Sequence, residues 1–285
     1  MTTRLVNALS IDVEDWFQVQ ALAGRVSRDD WDRMERRVER NTERILSILD
    51  RHALRATFFT LGWVAQRSRA IIRRIVAEGH ELACHGLDHT RVDSQTPEQF
   101  RADIRRAKRL LEDAGGVAVR GYRAATFSVG PTTPWAWEVL ADEGFAYSSS
   151  VCPVRHDLYG MPDAPRFAYR PLGERGGIEE IPVSTIRVLG RTIPCGGGGW
   201  FRILPYAFTR AALGRINQGE GRPCVFYLHP WELDPGQPRL DGLPWKARFR
   251  HYANLDHTEA RFVRLLGDFA WDRVDRVFGV PVPCA

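Results

Sequence analysis

Apolar stretches with strand-like and helix-like spacing alternate along the first half of the chain. The stretches 6–13 and 56–61 are rich in β-branched and aromatic residues, which predicts strands, whereas 97–114 repeats its apolar residues at helical spacing. Thr96 is a candidate N-cap for that helix, and the pair at 115–116 is Gly-Gly, which predicts its end. The repeated order of strand, helix and strand predicts parallel strands joined by crossover helices, and therefore an α/β fold.

Residues capable of metal binding or acid–base chemistry follow several of these predicted strands. In a barrel of parallel strands, the carboxyl ends of the strands meet at one mouth, so side chains that are distant in sequence can share a site. We therefore expect these residues to lie close together. They are Asp12, Glu14, Asp15, His85, His89, Arg123 and His229.

The composition narrows the classes of protein to consider. Of the 285 residues, 44% are hydrophobic and 26% are charged, which is typical of a globular protein. The net charge is +5, but no dense basic block with interleaved aromatic residues is present, so nucleic acid is not an expected partner. An odd count of five cysteines, with no Cys-x-x-Cys pair, argues against a disulfide framework or a cysteine zinc site.

The sequence predicts neither a transmembrane helix nor a signal peptide. No run of 18 apolar residues predicts a transmembrane helix, and the few residues before the first strand are too short for a signal peptide. The expected location is cytoplasmic.

The pair His85 and His89 is the clearest candidate for metal binding. Two histidines four residues apart can converge on one ion, and two histidines with one carboxylate form a known catalytic zinc set. The third ligand stays open between two neighbours. Glu14 shares the side of an extended strand with Asp12, whereas a turn at the strand end would bring Asp15 back instead. One divalent metal is expected, with Zn²⁺ favoured by the histidines.

Two further residues fit acid–base roles, although each also has a purely structural explanation. Arg123 could hold Asp12 ionised and oriented, or form an ordinary salt bridge. His229, which precedes Pro230, could serve as a general acid near neutral pH, or be a hydrogen-bonded core histidine.

The order of these motifs gives them more weight than any one of them has alone. Strand carboxylates, His-x-x-x-His, an arginine and then Leu-His-Pro resemble the NodB-type polysaccharide deacetylases of carbohydrate esterase family 4 over residues 5–232. The segments 12–17, 155–166, 196–202 and 229–235 are also similar to the branch associated with exosortase and PEP-CTERM exopolysaccharide loci.

This resemblance implies a fold and a domain organisation. The fold is a distorted (β/α) barrel of about seven strands, the NodB-homology fold, followed by a C-terminal extension. The barrel spans 1–232, with a loop-rich insertion at 150–205 beside the mouth. Residues 233–285 form the extension and pack on the barrel.

The resemblance also implies roles for the site residues. Asp12 is the general base, Arg123 orients it, and His229 protonates the leaving amine. A backbone N–H near Thr126 stabilises the oxyanion together with the metal. The metal ligands implied are His85, His89 and one of the two carboxylates Glu14 and Asp15.

Three tryptophans are expected to bind substrate at the mouth, namely Trp16, Trp200 and Trp231. Their aromatic rings suit stacking on sugars, although plain core packing would also account for them. The expected partner is a polysaccharide or a lipid-linked glycan, and the sequence indicates no oligomeric state.

The chain departs from the family pattern near its fourth motif. Tyr147 is followed by Ser148, where the family has an aspartate that would support the arginine, so the residues alone leave an altered activity open. The function predicted is metal-dependent removal of N-acetyl groups from hexosamine units, in exopolysaccharide biosynthesis. The alternatives are an amidohydrolase acting on a small amide and a non-catalytic glycan-binding module.

Overall fold

A computed structural model describes residues 5–174 and 176–280, in which strands and helices alternate. The strands in this part of the chain are β1 (Val6–Val13), β2 (Thr57–Thr60), β3 (Glu81–Cys84), β4 (Gly121–Tyr122), β5 (Tyr147–Ser148), β6 (Glu179–Glu180), β7 (Thr185–Val188), β8 (Arg191–Pro194), β9 (Val225–Leu228) and β10 (Ala270–Asp272). The α-helices are α1 (Val38–Arg51), α2 (Gly62–Arg67), α3 (Arg69–Ala77), α4 (Pro97–Gly115), α5 (Trp135–Asp142), α6 (Gly198–Ile203), α7 (Tyr206–Gly219), α8 (Trp245–Tyr252), α9 (Leu255–Asp268) and α10 (Val274–Val277).

One curved parallel sheet forms the centre of the molecule. Seven strands follow one another in the order β10-β1-β2-β3-β4-β5-β6, and β9 pairs with β1 as well. Apart from its first residue, β1 is buried, as expected for a parallel strand covered on both faces. The prediction of an α/β, distorted barrel of about seven strands is confirmed in this half-barrel form.

Helix ends show where local sequence determines structure and where it does not. The hydroxyl of Thr96 accepts a hydrogen bond from the backbone N–H of Gln99 at the start of α4, and Gly116 ends the helix with φ +69°. The helical spacing at 30–51 also predicts one long helix, which is wrong at its beginning. The segment Arg28–Arg33 forms a separate 3₁₀ turn, and α1 begins only at Val38.

The open side of the half-barrel lies between β6 and β9. Ser184 and the glycine-rich segment 196–199 bridge it by backbone hydrogen bonds to β9. Tyr227 donates its backbone N–H to the carbonyl of Gly196, and Ser184 donates to the carbonyl of Val225. Gly197 has φ +121°, and a Cβ atom there would lie 1.9 Å from the carbonyl oxygen of Tyr227. Glycine is therefore required where this segment passes β9.

The last part of the chain contributes to the central sheet. Strand β10 pairs with the beginning of β1, so the segment from 233 onwards both packs on the sheet and extends it. The domain division at 232 itself stays a prediction. Across 5–174 and 176–280, no helix has the length and apolar character needed to cross a bilayer.

Candidate active site

The structure brings Asp12, His85, Arg123 and His229 together at the carboxyl ends of four strands of the main sheet. Asp12 lies near the end of β1, His85 follows β3, Arg123 follows β4, and His229 follows β9. Glu14 comes directly after β1. Because β9 and β2 flank β1 and β3 flanks β2, these strand ends share one edge of the sheet.

Glu14, His85 and His89 form a compact buried cluster. Their potential ligand atoms all lie within 4.8 Å of one another. Glu14 Oε2 is 2.8 Å from His89 Nε2 and 4.0 Å from His85 Nε2. It is also a buried oxygen without a hydrogen bond of good geometry. An unsatisfied buried carboxylate oxygen facing two imidazole nitrogens fits a divalent metal, which prefers this donor set.

The protonation of the cluster also suits a cation. Nδ1 of His85 lies 2.8 Å from the carbonyl oxygen of Arg123, to which it must donate, so Nε2 is left with its lone pair. Burial lowers the pKa of His85 to about 4. Burial alone would raise the pKa of Glu14, but the close approach of His89, followed by the charges of His229 and His85, lowers it to about 2. An ionised carboxylate and a neutral imidazole are ligand forms.

Asp15 has a different role, which corrects its prediction as a candidate ligand. Its carboxylate accepts backbone N–H groups from Trp16, Arg37 and Val38, the last two at the start of α1. Burial raises the pKa of Asp15 to about 6, against these hydrogen bonds. Asp15 does not belong to the cluster because its oxygens hold the first turn of α1. Strand parity, which favours Glu14, agrees with the geometry.

Asp12 and Arg123 form a fully buried ion pair beside the cluster. Nη1 of Arg123 lies 2.6 Å from Asp12 Oδ1 and also donates to the hydroxyl of Ser10. Nε and Nη2 donate to the carbonyl and the hydroxyl of Ser149. Ser148, at the position of the absent family aspartate, instead donates to Ser150. Serine oxygens therefore satisfy the guanidinium, and Asp12 is its carboxylate partner among the described residues.

His229 faces both the ion pair and the cluster. Its Nε2 lies 3.6 Å from Glu14 Oε1 and 4.0 Å from Asp12 Oδ2. Its Nδ1 lies 2.8 Å from Glu232 Oε2, to which it donates. Burial would lower the pKa of His229, but Glu232 and then the other two carboxylates raise it to about 9. These carboxylates therefore favour the protonated form of His229, whose Nε2 faces the site.

Two residues without a predicted role support His229. Nε of Arg202, in α6, lies 2.6 Å from Glu232 Oε1, and both side chains are fully buried. Arg202 also donates to the carbonyl oxygens of Ala253 and Arg250. Glu232 has a local sequence signal. It lies three residues after His229, which Pro230 follows, and this spacing suits a capping box at the start of a helical turn. The structure shows that capping box. No local signal indicates Arg202.

Thr126 and the three tryptophans that were predicted to contact substrate have different surroundings. Thr126, with φ +55°, lines a cavity of about 140 Å³ together with the site residues. Trp231 also lines it, and Trp231 donates to Glu14 Oε1 at 3.2 Å, which orients that carboxylate. Trp200 is half-buried beside an adjoining cavity and donates to the hydroxyl of Tyr159. Trp16 is 1% exposed and donates to the carbonyl of Glu35, so its prediction as a substrate contact is wrong.

The half-barrel and its convergent acidic, basic and histidine side chains define an enzyme of the α/β class. Residues 29–147 match the family model described as polysaccharide deacetylase. Residues 149–279 match a second model, described as a domain of unknown function, DUF3473.

Individual proteins described as deacetylases are also similar to this chain. A chitooligosaccharide deacetylase from Bradyrhizobium sp. (strain ANU 289) is 30% identical over 110 residues, which is 39% of this chain and 48% of that relative. A crystal structure from Mycobacterium smegmatis, provisionally described as a polysaccharide deacetylase, has a TM-score of 0.65 at 21% identity and covers 98% of this chain and 91% of that one. A similarly described structure from Pseudomonas aeruginosa PAO1 has a TM-score of 0.61 at 19% identity, with 96% and 89% covered.

These likenesses carry different weight. At such low identity the two solved structures show the fold alone. The polysaccharide deacetylase model matches residues 29–147, and the Bradyrhizobium relative matches 39% of the chain, so the likeness to deacetylases covers part of the chain. The chain spans about half the length of the Bradyrhizobium relative, so the reaction and substrate of this chain are proposals.

Proposed function

We propose that this protein is a metal-dependent deacetylase that removes N-acetyl groups from hexosamine units of a polysaccharide or its lipid-linked precursor. The observation that carries the proposal is the buried cluster of Glu14, His85 and His89, with Asp12 and His229 beside it. The chitooligosaccharide and peptidoglycan N-acetylglucosamine substrates named for two relatives support the substrate class.

A divalent cation, with Zn²⁺ favoured by the two imidazoles, would be held by Glu14 Oε2 and by Nε2 of His85 and His89. When bound, it supplies Lewis-acid chemistry, which acidifies water and polarises the acetyl carbonyl. Asp15 takes no part in the ligand set that we propose. Trp231, through its hydrogen bond to Glu14, and the carbonyl of Arg123, through His85, keep two of the ligands oriented.

Asp12 and His229 divide the proton transfers between them. Asp12 Oδ1 is held by Arg123, which leaves Oδ2 as the oxygen that accepts a proton from the attacking water. His229 Nε2, 4.0 Å from Oδ2, then gives a proton to the departing amine. Because the acid and the base lie this close, both can reach the same scissile amide from one side of the site. The backbone N–H at Thr126 is our candidate second donor to the oxyanion.

The biological setting is a finer proposal, which rests on the sequence motifs and on the second domain. The segments similar to the exosortase and PEP-CTERM branch lie mostly within 149–279. We infer that the substrate is an exopolysaccharide or its precursor, and that the 149–279 domain adapts the deacetylase to it.

Acetate release from N-acetylglucosamine oligomers, measured alongside bound metal, tests the function. We expect wild type to carry about one divalent ion and to release acetate, Asp12→Asn to keep the metal but lose activity, and His85→Ala to lose both. A protein that binds metal but releases no acetate from any glycan would contradict the proposal. Absence of metal would favour a glycan-binding module, and acetate release from small amides alone would favour a small-amide hydrolase.

A further inference from the structure

A second cavity, of about 520 Å³, continues from the candidate active site. Tyr159, Tyr227, His229 and Trp231 line both this cavity and the smaller one that contains Asp12 and Glu14. A molecule that reaches the acid–base pair can therefore extend into the second cavity without a break. We call this second cavity the α8 groove, after the helix that forms its outer wall.

The outer wall presents two exposed aromatic side chains. Trp245 is 74% exposed and Phe249 is 51% exposed, and both line the groove. Four residues apart on α8, they lie on the same face of the helix. Large exposed aromatic side chains that share one concave surface are typical of a binding site, because a folded chain otherwise buries such side chains.

The rest of the groove combines flat rings with polar edges. Tyr159 stacks on His156 with ring centroids 4.1 Å apart, and Trp200 donates to the Tyr159 hydroxyl. Lys246 and Arg250 place cationic groups along the same walls. A pyranose ring has an apolar C–H face and a rim of hydroxyl groups, so this alternation of rings and charged donors is complementary to a sugar chain.

We propose that the α8 groove binds the hexosamine units that adjoin the unit being deacetylated, so that the 149–279 domain selects oligomers over single sugars. This inference rests on the proposed function, because the occupant is the remainder of the same substrate. A lipid surface fits less well. The two aromatic side chains line a concavity rather than a protruding face, and charged groups, including the buried Arg202–Glu232 pair, form part of its wall.

The length dependence of activity tests the groove. We expect Trp245→Ala and Phe249→Ala to lower kcat/KM for an N-acetylglucosamine pentamer about five- to tenfold more than for a dimer, through KM. Leu189→Ala is the matched control, because Leu189 is 98% exposed on the turn between β7 and β8 and does not line the groove. Its pentamer-to-dimer ratio should equal that of wild type.

Direct binding separates failure of this inference from failure of the proposed function. In the Asp12→Asn background, which prevents turnover, pentamer affinity measured by calorimetry should fall when Trp245→Ala is added. If wild type releases acetate but the groove variants behave like Leu189→Ala at every length, the groove assignment is wrong and the function stands. If pentamer binding depends on Trp245 but no glycan releases acetate, the groove assignment stands and the proposed function is wrong.

Vesicle flotation tests the lipid alternative. We expect wild type and Trp245→Ala to float equally little with phosphatidylglycerol vesicles. Trp245-dependent flotation, together with unchanged pentamer binding, would overturn the sugar assignment in favour of a lipid surface.

Discussion

The two halves of the molecule contribute to one site by different structural means. In residues 5–147, the site residues lie within a few positions of the ends of strands, as Asp12, His85 and Arg123 do for β1, β3 and β4. In residues 149–280, only His229 follows a strand of the main sheet directly. Arg202 reaches the site from α6, and Trp245 reaches the adjoining groove from α8.

The two halves therefore position their site residues in different ways. A parallel sheet brings the carboxyl ends of its strands to one edge, so the topology of the first half brings the proposed base and the proposed metal ligands close together. The second half places its groups through contacts between elements distant in sequence, such as the bonds from Arg202 to the carbonyls of Arg250 and Ala253. We infer that the first half provides the proposed base and metal ligands. The second half provides the proposed acid, His229, and the groove that selects the substrate.

The largest effect is expected from the neighbouring carboxylates of the first half. Glu14→Gln should abolish metal binding and lower kcat/KM at least about a hundredfold, because the cluster loses its anionic ligand. Asp15→Ala should retain metal but lower the free energy of unfolding by about 1–3 kcal/mol, because the N–H groups at the start of α1 lose their acceptor. Metal analysis and urea unfolding measure the two effects. Metal loss in Asp15→Ala, with retention in Glu14→Gln, would reverse our assignment.

The same contrast explains how much could be predicted from the sequence. The α/β barrel and the convergence of Asp12, His85, Arg123 and His229 follow from the alternation of elements and from residues placed after strands. The choice between Glu14 and Asp15 depends on where β1 ends, to within one residue. The structure decides it, because the backbone N–H groups at the start of α1 bind the carboxylate of Asp15.

Which side chains are buried and which are exposed could not be predicted from the sequence. Trp16 lies in the same motif as the site residues, yet its side chain packs in the core with Phe17, because the chain turns after β1. Arg202 could not be predicted, since it is separated by 30 residues from Glu232 and lies in a different element. Exposure, on which the recognition of Trp245 depends, is likewise a property of the folded chain.

The next largest effect should come from the support that the second half gives to His229. Glu232→Gln should lower kcat about 10- to 100-fold with little change in KM, because the imidazole loses its anionic partner. It should also lower the free energy of unfolding by about 3 kcal/mol, because the buried charge of Arg202 loses its partner.

The double variant Glu232→Gln with Arg202→Met separates the two consequences. Removing both charges should recover much of the stability without recovering kcat, since only the unpaired charge affects folding. Steady-state kinetics and thermal unfolding measure both. If kcat recovers together with stability, Glu232 acts only by holding the fold, and the second half contributes less to the chemistry than we infer.

The smallest effect concerns a buried carboxylate where the two halves meet. Glu81, at the start of β3, accepts hydrogen bonds from the hydroxyls of Thr57 and Tyr147 and from the backbone N–H of Asp275 in α10. Burial, and then the charge of Asp275, raise the pKa of Glu81 to about 7, against those hydrogen bonds. The folded protein therefore favours the protonated acid more than the unfolded chain does.

The sign of the pH effect follows from that shift. A carboxyl whose pKa is raised on folding contributes stability that is fully present below its unfolded value of about 4.5 and is lost as the pH rises through about 7. Wild type should lose about 2–3 kcal/mol between pH 5 and pH 8 from this group. Glu81→Gln keeps a hydrogen-bond acceptor but cannot ionise, so urea unfolding should show a correspondingly flatter profile. Glu138→Gln, at an exposed position on α5, is the control and should retain the wild-type slope. A Glu81→Gln profile as steep as that of the control would show that Glu81 is ionised in the folded protein. The hydrogen bond between α10 and β3 would then be made to a charged carboxylate and not to a neutral acid.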